Sequence, residues 1–384
     1  MGDRANGYIL SRVTHLTWVE IDLSAIQNNL RRMKALANTR VMAVVKANAY
    51  GHGAVEVARA AASAGADWLG VARAAEGLAL RQGGLSLPIL VLGYTPPVAE
   101  AAEALGADLS LTIFDFESAQ ACAALARALN RRAKVHVKVD TGMGRLGVLP
   151  DETPEFIRAA CALDDIAVEG VFTHFAGSDL ADQNSALKQL AQFEGVLHAL
   201  HEKEPLAPGA PLVHAANSAA ALALPASRYD LVRMGIALYG LSPSAAVPCP
   251  PGFTPALTWK ATVAQVKTLP PGHGVSYGGE YVTKEAETIA VIPVGYADGY
   301  RRVPKNVNQV LIRGQRAPVR GRVCMDQIIA GVSHIPDVQQ GDEVVLVGQQ
   351  DSETMSADEV ARRWGTINYD VTSGIMARVT RLYL

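Results

Sequence analysis

From about residue 17 to 243, short and nearly unbroken apolar runs alternate with longer alanine-rich stretches whose apolar positions recur at helical spacing. Strands apolar on both faces are what a parallel sheet covered by helices requires. The pattern predicts eight strands, at Val41–Lys46, Asp67–Ala72, Pro88–Tyr94, Leu109–Phe114, Lys134–Asp140, Ala167–Phe175, Leu212–Ala216 and Leu231–Gly240. Helices are predicted between most of them, at Ala54–Ala64, Ala74–Gln82, Pro97–Leu105, Glu117–Leu129, Pro154–Leu163 and Ala186–Glu202. Another, Ser24–Ala37, precedes the first strand and is expected to close the ring by covering the strand-eight side. Eight β/α units over this length fit an α/β fold of the TIM (β/α)8 barrel type. An open doubly wound sheet competes, since periodicity does not separate the two. No G-x-G-x-x-G follows the first strand, which weakens the dinucleotide-binding form of that rival.

The texture changes near Ser242. The stretch Ser242–Gly252 is rich in proline and small residues, like a linker. Beyond it, strand-like runs at Leu257–Val266, Thr288–Val294, Gln309–Ile312 and Glu343–Val347 are separated by turn signals such as Pro270-Pro271-Gly272 and Gln340-Gly341-Asp342. This predicts a barrel domain over residues 1–243 and a C-terminal β-rich domain over 244–384. The first dozen residues are expected to be poorly ordered.

Composition narrows the function. Hydrophobic residues make up 49% of the 384, ample for a sizeable core, so wholesale disorder is excluded. With 35 basic against 37 acidic residues there is no basic excess to serve a nucleic acid. No apolar run is long enough to span a bilayer. The four cysteines, Cys122, Cys161, Cys249 and Cys324, form no C-x-x-C pair, so neither a structural metal site nor a disulfide framework is expected. The start, Met1-Gly2-Asp3-Arg4, lacks the basic-then-apolar pattern of a signal peptide, and a cytoplasmic location is expected.

Barrel enzymes carry their chemistry at the C-terminal ends of the strands. At those predicted ends stand Lys46, Lys138 with Asp140, His174, Asn217 with Ser218, and Arg233. Polar groups inside apolar runs are costly unless paired, so several at one rim point to one site. A lysine closing a buried strand has a depressed pKa suited to Schiff-base chemistry, and Lys46 ends Val41-Met42-Ala43-Val44-Val45. A lysine that merely snorkels outward fits as well. Ser218 and the backbone of Gly235-Ile236 lie where barrels often bind phosphate, although Asn217-Ser218 also reads as a helix cap. Arg145 sits in a glycine-rich loop, either against a ligand or as a solvated charge. A lone His174 in an apolar strand is more often a satisfied core histidine than a base, though it shares its rim with Lys46 and Arg233. Tyr277, Met325 and Asp326 carry no compositional reason to prefer catalysis over packing.

In order, the stretches Ala43–Gly53, Lys138–Arg145, Phe172–Ala176, His214–Ser218, Val232–Gly240, Val275–Gly278, Gly295–Tyr300, Cys324–Asp326 and Ile367–Asp370 resemble the motifs of bacterial alanine racemases. The resemblance runs from Thr17 nearly to the C-terminus. It implies a fold-type III enzyme that uses pyridoxal phosphate: a TIM barrel plus a β domain, in a head-to-tail homodimer interconverting L- and D-alanine. It implies too that the strand around Trp18–Leu23 packs with the β domain. Ser373 and Thr380 stand where many members carry Cys and Pro.

The roles implied are chemically coherent. Lys46 would bind the cofactor covalently. Tyr50, Ser218, Tyr369 and the backbone of Gly235 and Ile236 would hold its phosphate, and Arg233 its ring nitrogen. An arginine does not readily give up a proton, so the ring would be a weaker electron sink than one paired with Asp. Racemisation needs proton removal on one face of Cα and return on the other. Lys46 would serve one face and Tyr277, from the other subunit, the opposite face. A free tyrosine titrates near 10, so a relay is called for, and His174 could couple Tyr277 to Arg233. Arg145 would contact the substrate carboxylate, with Lys138 carbamylated to orient it. Met325 and Asp326 of the partner would bind substrate, and Tyr296 would line the entry passage. The product would be D-alanine for peptidoglycan. The rivals are a broader-specificity or serine racemase of the same family, a fold-type III decarboxylase of basic amino acids, and a cofactor carrier without enzymatic activity.

Overall fold

The computed structural model describes residues 15–96, 99–203, 211–303 and 307–384. The expectation for the first dozen residues lies outside these, as do Pro97 and Val98 at the start of the predicted helix Pro97–Leu105. Two compact units are present: Leu23–Pro255, and the chain up to Asp22 together with Ala256–Leu384.

After strand β1 (Thr17–Ile21), which belongs to the second unit, come eight parallel strands: β2 (Arg40–Val44), β3 (Trp68–Val71), β4 (Ile89–Val91), β5 (Ser110–Ile113), β6 (Ala133–Lys138), β7 (Ile166–Phe172), β8 (Leu212–His214) and β9 (Leu231–Met234). They lie in the order β8-β7-β6-β5-β4-β3-β2-β9. The seam between β8 and β9 is joined by backbone hydrogen bonds from Asp230 to Val213 (3.1 Å) and from Arg233 to Ala216 (2.9 Å). Each predicted strand therefore exists, and the arrangement is a barrel rather than an open sheet. The alanine-rich stretches form the covering helices, among them Ala54–Ser63, Ala74–Gln82, Phe116–Ala128, Thr153–Cys161 and Asn184–Lys203. Helix Leu23–Ala37 sits against the closing strands, with the buried Asn29 amide donating to the carbonyls of Leu238 and Thr254.

Several strands stop earlier than their apolar runs. β2 ends at Val44, β7 at Phe172 and β9 at Met234, and in each case the excess residues leave the sheet to build the barrel mouth. The run Leu231–Gly240 breaks at Gly235, where the chain turns into the 3₁₀ turn Ile236–Tyr239. The proline-rich stretch after Ser242 stays with the barrel: Ser244 donates to the carbonyl of Asp179, and Asn28 to that of Gly252.

In the second unit, β1 pairs with β10 (Leu257–Thr262) and, in parallel, with the C-terminal strand Thr380–Tyr383. Thr380 takes its place opposite Trp18 in that pairing. The run Leu257–Val266 is two strands, not one. β10 pairs with Glu343–Gln350, whereas β11 (Gln265–Leu269) crosses to a second sheet and pairs with Glu287–Ile292. A single apolar run does not reveal this change of partner. Among the described residues, no helix is long and apolar enough to cross a membrane.

Candidate active site

Lys46 follows Val45, whose N–H completes the pairing of β2 by donating to Gly70. The next residues depart sharply from ordinary geometry. Ala47, Asn48, Ala49 and Tyr50 all have φ of 52–53°, making one left-handed turn. Left-handed backbone costs roughly 1–2 kcal/mol for an ordinary residue, so this turn needs restraints. They are present. His52, fully buried, has Nδ1 3.1 Å from the Ala49 carbonyl and 3.0 Å from that of Tyr50. Two acceptors there put the proton on Nδ1. The His52 ring packs on Tyr239, whose hydroxyl donates to the Val44 carbonyl. Asn48 Oδ1 accepts the N–H of Ala54, capping the following helix.

The turn brings Lys46 and Tyr50 to the mouth. Burial, and then the charge of Arg145, pull the Lys46 pKa down, with Arg233 acting in the same sense and Glu76 opposing. Tyr50 is buried, and burial pushes its phenol up. Across from it, Ser218 Oγ accepts the N–H of Gly235 (2.9 Å) and of Ala237 (3.3 Å). Asn217 caps the helix Ser218–Ala223 through the N–H of Ala220, so capping and site geometry coexist at Asn217-Ser218. A Cβ on Gly235 would stand 2.7 Å from the Tyr50 hydroxyl and 3.9 Å from Ser218 Oγ. Only glycine leaves that space between the two hydroxyls open.

Arg233 is 3% exposed and heavily bonded. Nη1 donates to His214 Nδ1 (2.9 Å) and the His214 carbonyl; Nη2 donates to the carbonyls of Thr173 and Ala215 and to His174 Nδ1 (3.2 Å). Burial lowers its pKa to about 9, which still leaves it charged at neutral pH. Burial, then Arg233, Lys138, Arg145 and Lys46, hold His174 well below the usual imidazole value. His174 is therefore neutral, with its proton on Nε2. Lys138 is 2% exposed beside the Phe172 ring; burial and the two arginines bring it down to about 7. Arg145 is exposed on a loop whose backbone is gathered by one carboxylate, Asp140, which accepts the N–H groups of Gly142, Met143, Gly144 and Arg145.

The second unit carries its own cluster. Tyr277, 68% exposed, follows Ser276, which holds φ of 64° and donates from Oγ to the Arg322 carbonyl. Tyr277, Met325 and Asp326 line one cavity of about 400 Å³ with Ser276, Cys324 and Gln327. The Tyr296 loop is tied to it: the N–H groups of Tyr296 and Ala297 donate to the carbonyls of Cys324 and Met325. Arg378 grips both Asp326 and Asp298, each at 2.7 Å. Arg378 was not singled out by sequence reasoning, since nothing local distinguishes it from a tail charge. Tyr369 lies in the helix Asn368–Ser373, half-buried, with Ser373 Oγ donating to its carbonyl. Thus Lys46, Tyr50, Lys138, Arg145, His174, Ser218, Arg233, Gly235 and Ile236 belong to the barrel, and Tyr277, Tyr296, Met325, Asp326 and Tyr369 to the β unit. Sequence reasoning also passed over Glu76, His52 and Glu169, whose spacing carries no signal.

Comparison with known proteins agrees with this division. Residues 21–243 match the alanine racemase N-terminal domain and residues 256–383 the alanine racemase C-terminal domain. The alanine racemase of Desulfovibrio desulfuricans is 48% identical over 96% of this chain and 98% of its own length, and that of Symbiobacterium thermophilum is 49% identical over 96% and 97%. Among solved structures, the alanine racemase of Clostridium difficile superposes with TM-score 0.90 at 39% identity, over 97% of this chain and 96% of that one. The Bacillus anthracis enzyme, solved with bound L-Ala-P, gives 0.88 at 40%, over 96% and 95%. With both halves matched and nearly the whole of each relative covered, the chain belongs to the alanine racemase family and is an isomerase.

Proposed function

We propose that this racemase interconverts L- and D-alanine with pyridoxal phosphate, using two bases on opposite faces of the substrate Cα. The observation that carries the reading is the strained turn that delivers both Lys46 and Tyr50 to a mouth lined by Ser218, Gly235 and Arg233. The residues fit the cofactor. The gap above Gly235, flanked by two hydroxyls, suits a phosphate, and the Ile236 N–H opens the 3₁₀ turn that follows Gly235; the family resemblance adds Tyr369 as a further donor. Arg233 commits Nη1 and Nη2 to protein acceptors, and its Nε–H has no protein partner among the described residues. That donor suits a ring nitrogen. Lys46, with its lowered pKa, supplies the amine that holds the aldehyde carbon.

When bound, the pyridoxal ring delocalises the electron pair that the departing Cα proton leaves behind. The chain's own residues do the rest. Lys46 Nζ takes or returns the proton on one face. Tyr277 Oη, from a second copy of the chain, does so on the other. Its exposure in the β unit supports delivery to a partner, in a homodimer. Neutral His174, accepting from Arg233 at Nδ1, has Nε2–H available to steady the tyrosine oxygen. Arg145 and, from the second copy, the Met325 backbone hold the substrate carboxylate; Asp326 of that copy orders its loop through Arg378, and Tyr296 lines the approach. We place the enzyme in the cytoplasm, supplying D-alanine for peptidoglycan.

Borohydride reduction of the enzyme with pyridoxal phosphate, followed by peptide mapping, tests the assignment. The label is expected on Lys46; a label elsewhere, or none, refutes it. Chromatographic resolution after incubation with L-alanine and, separately, L-serine decides substrate breadth: D-alanine is expected in excess.

A further inference from the structure

Barrel interiors are ordinarily filled by branched aliphatic side chains. Here a line of polar groups runs through the interior from Arg233 toward the N-terminal ends of the strands. Arg233 Nη1 is 2.9 Å from His214 Nδ1, and His214 Nε2 is 2.9 Å from His136 Nδ1. His136 Nε2 has no hydrogen-bond partner among the described residues and faces Glu169 Oε2 at 3.9 Å, a charge contact rather than a hydrogen bond. Both histidines are fully buried. Gly170 makes the room, since a Cβ there would stand 2.2 Å from His136 Nδ1. Ser110 Oγ donates to Glu169 Oε2 at 2.8 Å, and Lys134 and Asp108 share with Glu169 the lining of a cavity of about 100 Å³.

The protons along this line follow link by link. A guanidinium only donates, so His214 Nδ1 must accept and its proton sits on Nε2. That proton is donated to His136 Nδ1, which puts the His136 proton on Nε2, facing the carboxylate. Burial and the Arg233 charge keep both imidazoles far below their usual pKa, His136 at about 3, so neither takes up a second proton near neutrality. Every donor then points from the cation toward Glu169. A proton on His136 Nδ1 would confront His214 Nε2–H and drive His214 to its other tautomer, whose Nδ1 proton would confront Arg233 Nη1, and the guanidinium would have to roll.

We infer that Glu169 and His136 are positioning residues for Arg233: through His214 they fix the roll of the guanidinium, so that its Nε–H is aimed at the cofactor ring nitrogen. This rests on the reading of Arg233 given under the proposed function. Glu169 touches neither substrate nor cofactor; its negative charge stabilises, at the far end of the line, the His136 Nε2–H tautomer that Arg233 imposes through His214.

The test uses holoenzyme labelled with ¹⁵N-histidine, comparing wild type with Glu169→Gln, which removes the charge at the same size, and Glu169→Asp, which keeps it. Wild type should show both His136 and His214 protonated on Nε2. Glu169→Gln should populate the Nδ1–H form of His136, shift the absorption of the bound cofactor and lower kcat by about tenfold with KM nearly unchanged; Glu169→Asp should recover part of each. Should Glu169→Gln fail to fold, Ser110→Ala, which frees the Glu169 carboxylate, should produce the same changes more weakly. Unchanged tautomers overturn the inference, and so do changed tautomers with an unchanged cofactor spectrum. Wild-type protein that takes up no pyridoxal phosphate would instead refute the cofactor assignment, and would do so before any variant is compared.

Discussion

The Glu76 carboxylate accepts the backbone N–H of Ala47 at 2.6 Å through one oxygen, while its other oxygen accepts those of Ala72 (2.7 Å) and Arg73 (3.1 Å). One side chain thus joins the end of β3 to the left-handed turn that starts at Lys46. A strained turn persists only where its surroundings over-determine it. Glu76→Ala removes three charge-assisted hydrogen bonds and should lower stability by about 1–3 kcal/mol. With Lys46 less fixed, kcat/KM should fall on the order of 10- to 100-fold. Glu76→Gln keeps one acceptor and should fall between. Denaturant unfolding and racemisation rates check both; an unaltered rate in Glu76→Ala would mean that the turn holds without it.

Lys46 and Tyr277, the two proposed bases, lie in different units, which makes a prediction about mixing. Lys46→Ala and Tyr277→Phe should each be nearly inactive as purified homodimers. If Tyr277 serves the partner's site, a mixed dimer contains one site with both defects and one with neither. Unfolding and refolding the two variants together should then restore activity that neither has alone. If both bases of a site come from the same chain, every site in the mixture stays defective and no activity returns.

Much of the barrel was legible in the sequence because strands covered on both faces leave continuous apolar runs. The strand ends were less legible. Val45, Ala47 and Ala49 look like more of the same run, yet Ala47 and Ala49 are left-handed, and the reason lies in Glu76 and His52, which act through hydrogen bonds to backbone and leave no periodic trace. In the second unit the chain passes from one sheet to another between Thr262 and Gln265, a change of partners that residue type does not mark. The candidate site residues were singled out through ordered motifs, which do not mark the layer behind them. Arg378 meets Asp326 across 52 positions of chain, and Glu169 reaches Arg233 only through His136 and His214, so local sequence marks neither.

Asp140 gives a pH-dependent prediction. Burial alone would raise its carboxyl, but the N–H groups of Gly142, Gly144, Met143 and Arg145 outweigh that and lower it. A carboxyl lowered in the folded state adds stability above its unfolded pKa, near 3.9, and loses it as pH falls through the folded value. Wild type should therefore be more stable than Asp140→Asn above about pH 4, and the two should converge in acid. Because Asp140 orders the Arg145 loop, the variant's KM for alanine should rise more than its kcat falls. Parallel unfolding curves across pH, differing by a constant amount down into acid, would contradict this account.

Lys138 carries the chemical prediction. Its amine is buried beside Phe172, and burial, Arg233 and Arg145 bring its pKa to about 7, with Asp140 opposing. Near neutral pH much of it is thus the free amine, which is the form that adds to carbon dioxide. The nitrogen lone pair attacks the carbon, the amine releases a proton to solvent, and a carbamate anion results. That anion would offset the positive charges of Arg233 and Arg145 and would give Arg145 an acceptor. With ¹³C-bicarbonate, wild-type enzyme should show a carbamate carbonyl resonance that Lys138→Gln lacks. Below pH 7 the ammonium form cannot add, so resonance and activity should decline together. Fully active wild-type enzyme with no such resonance would rule the modification out and leave Arg145 to be oriented by Asp140 alone.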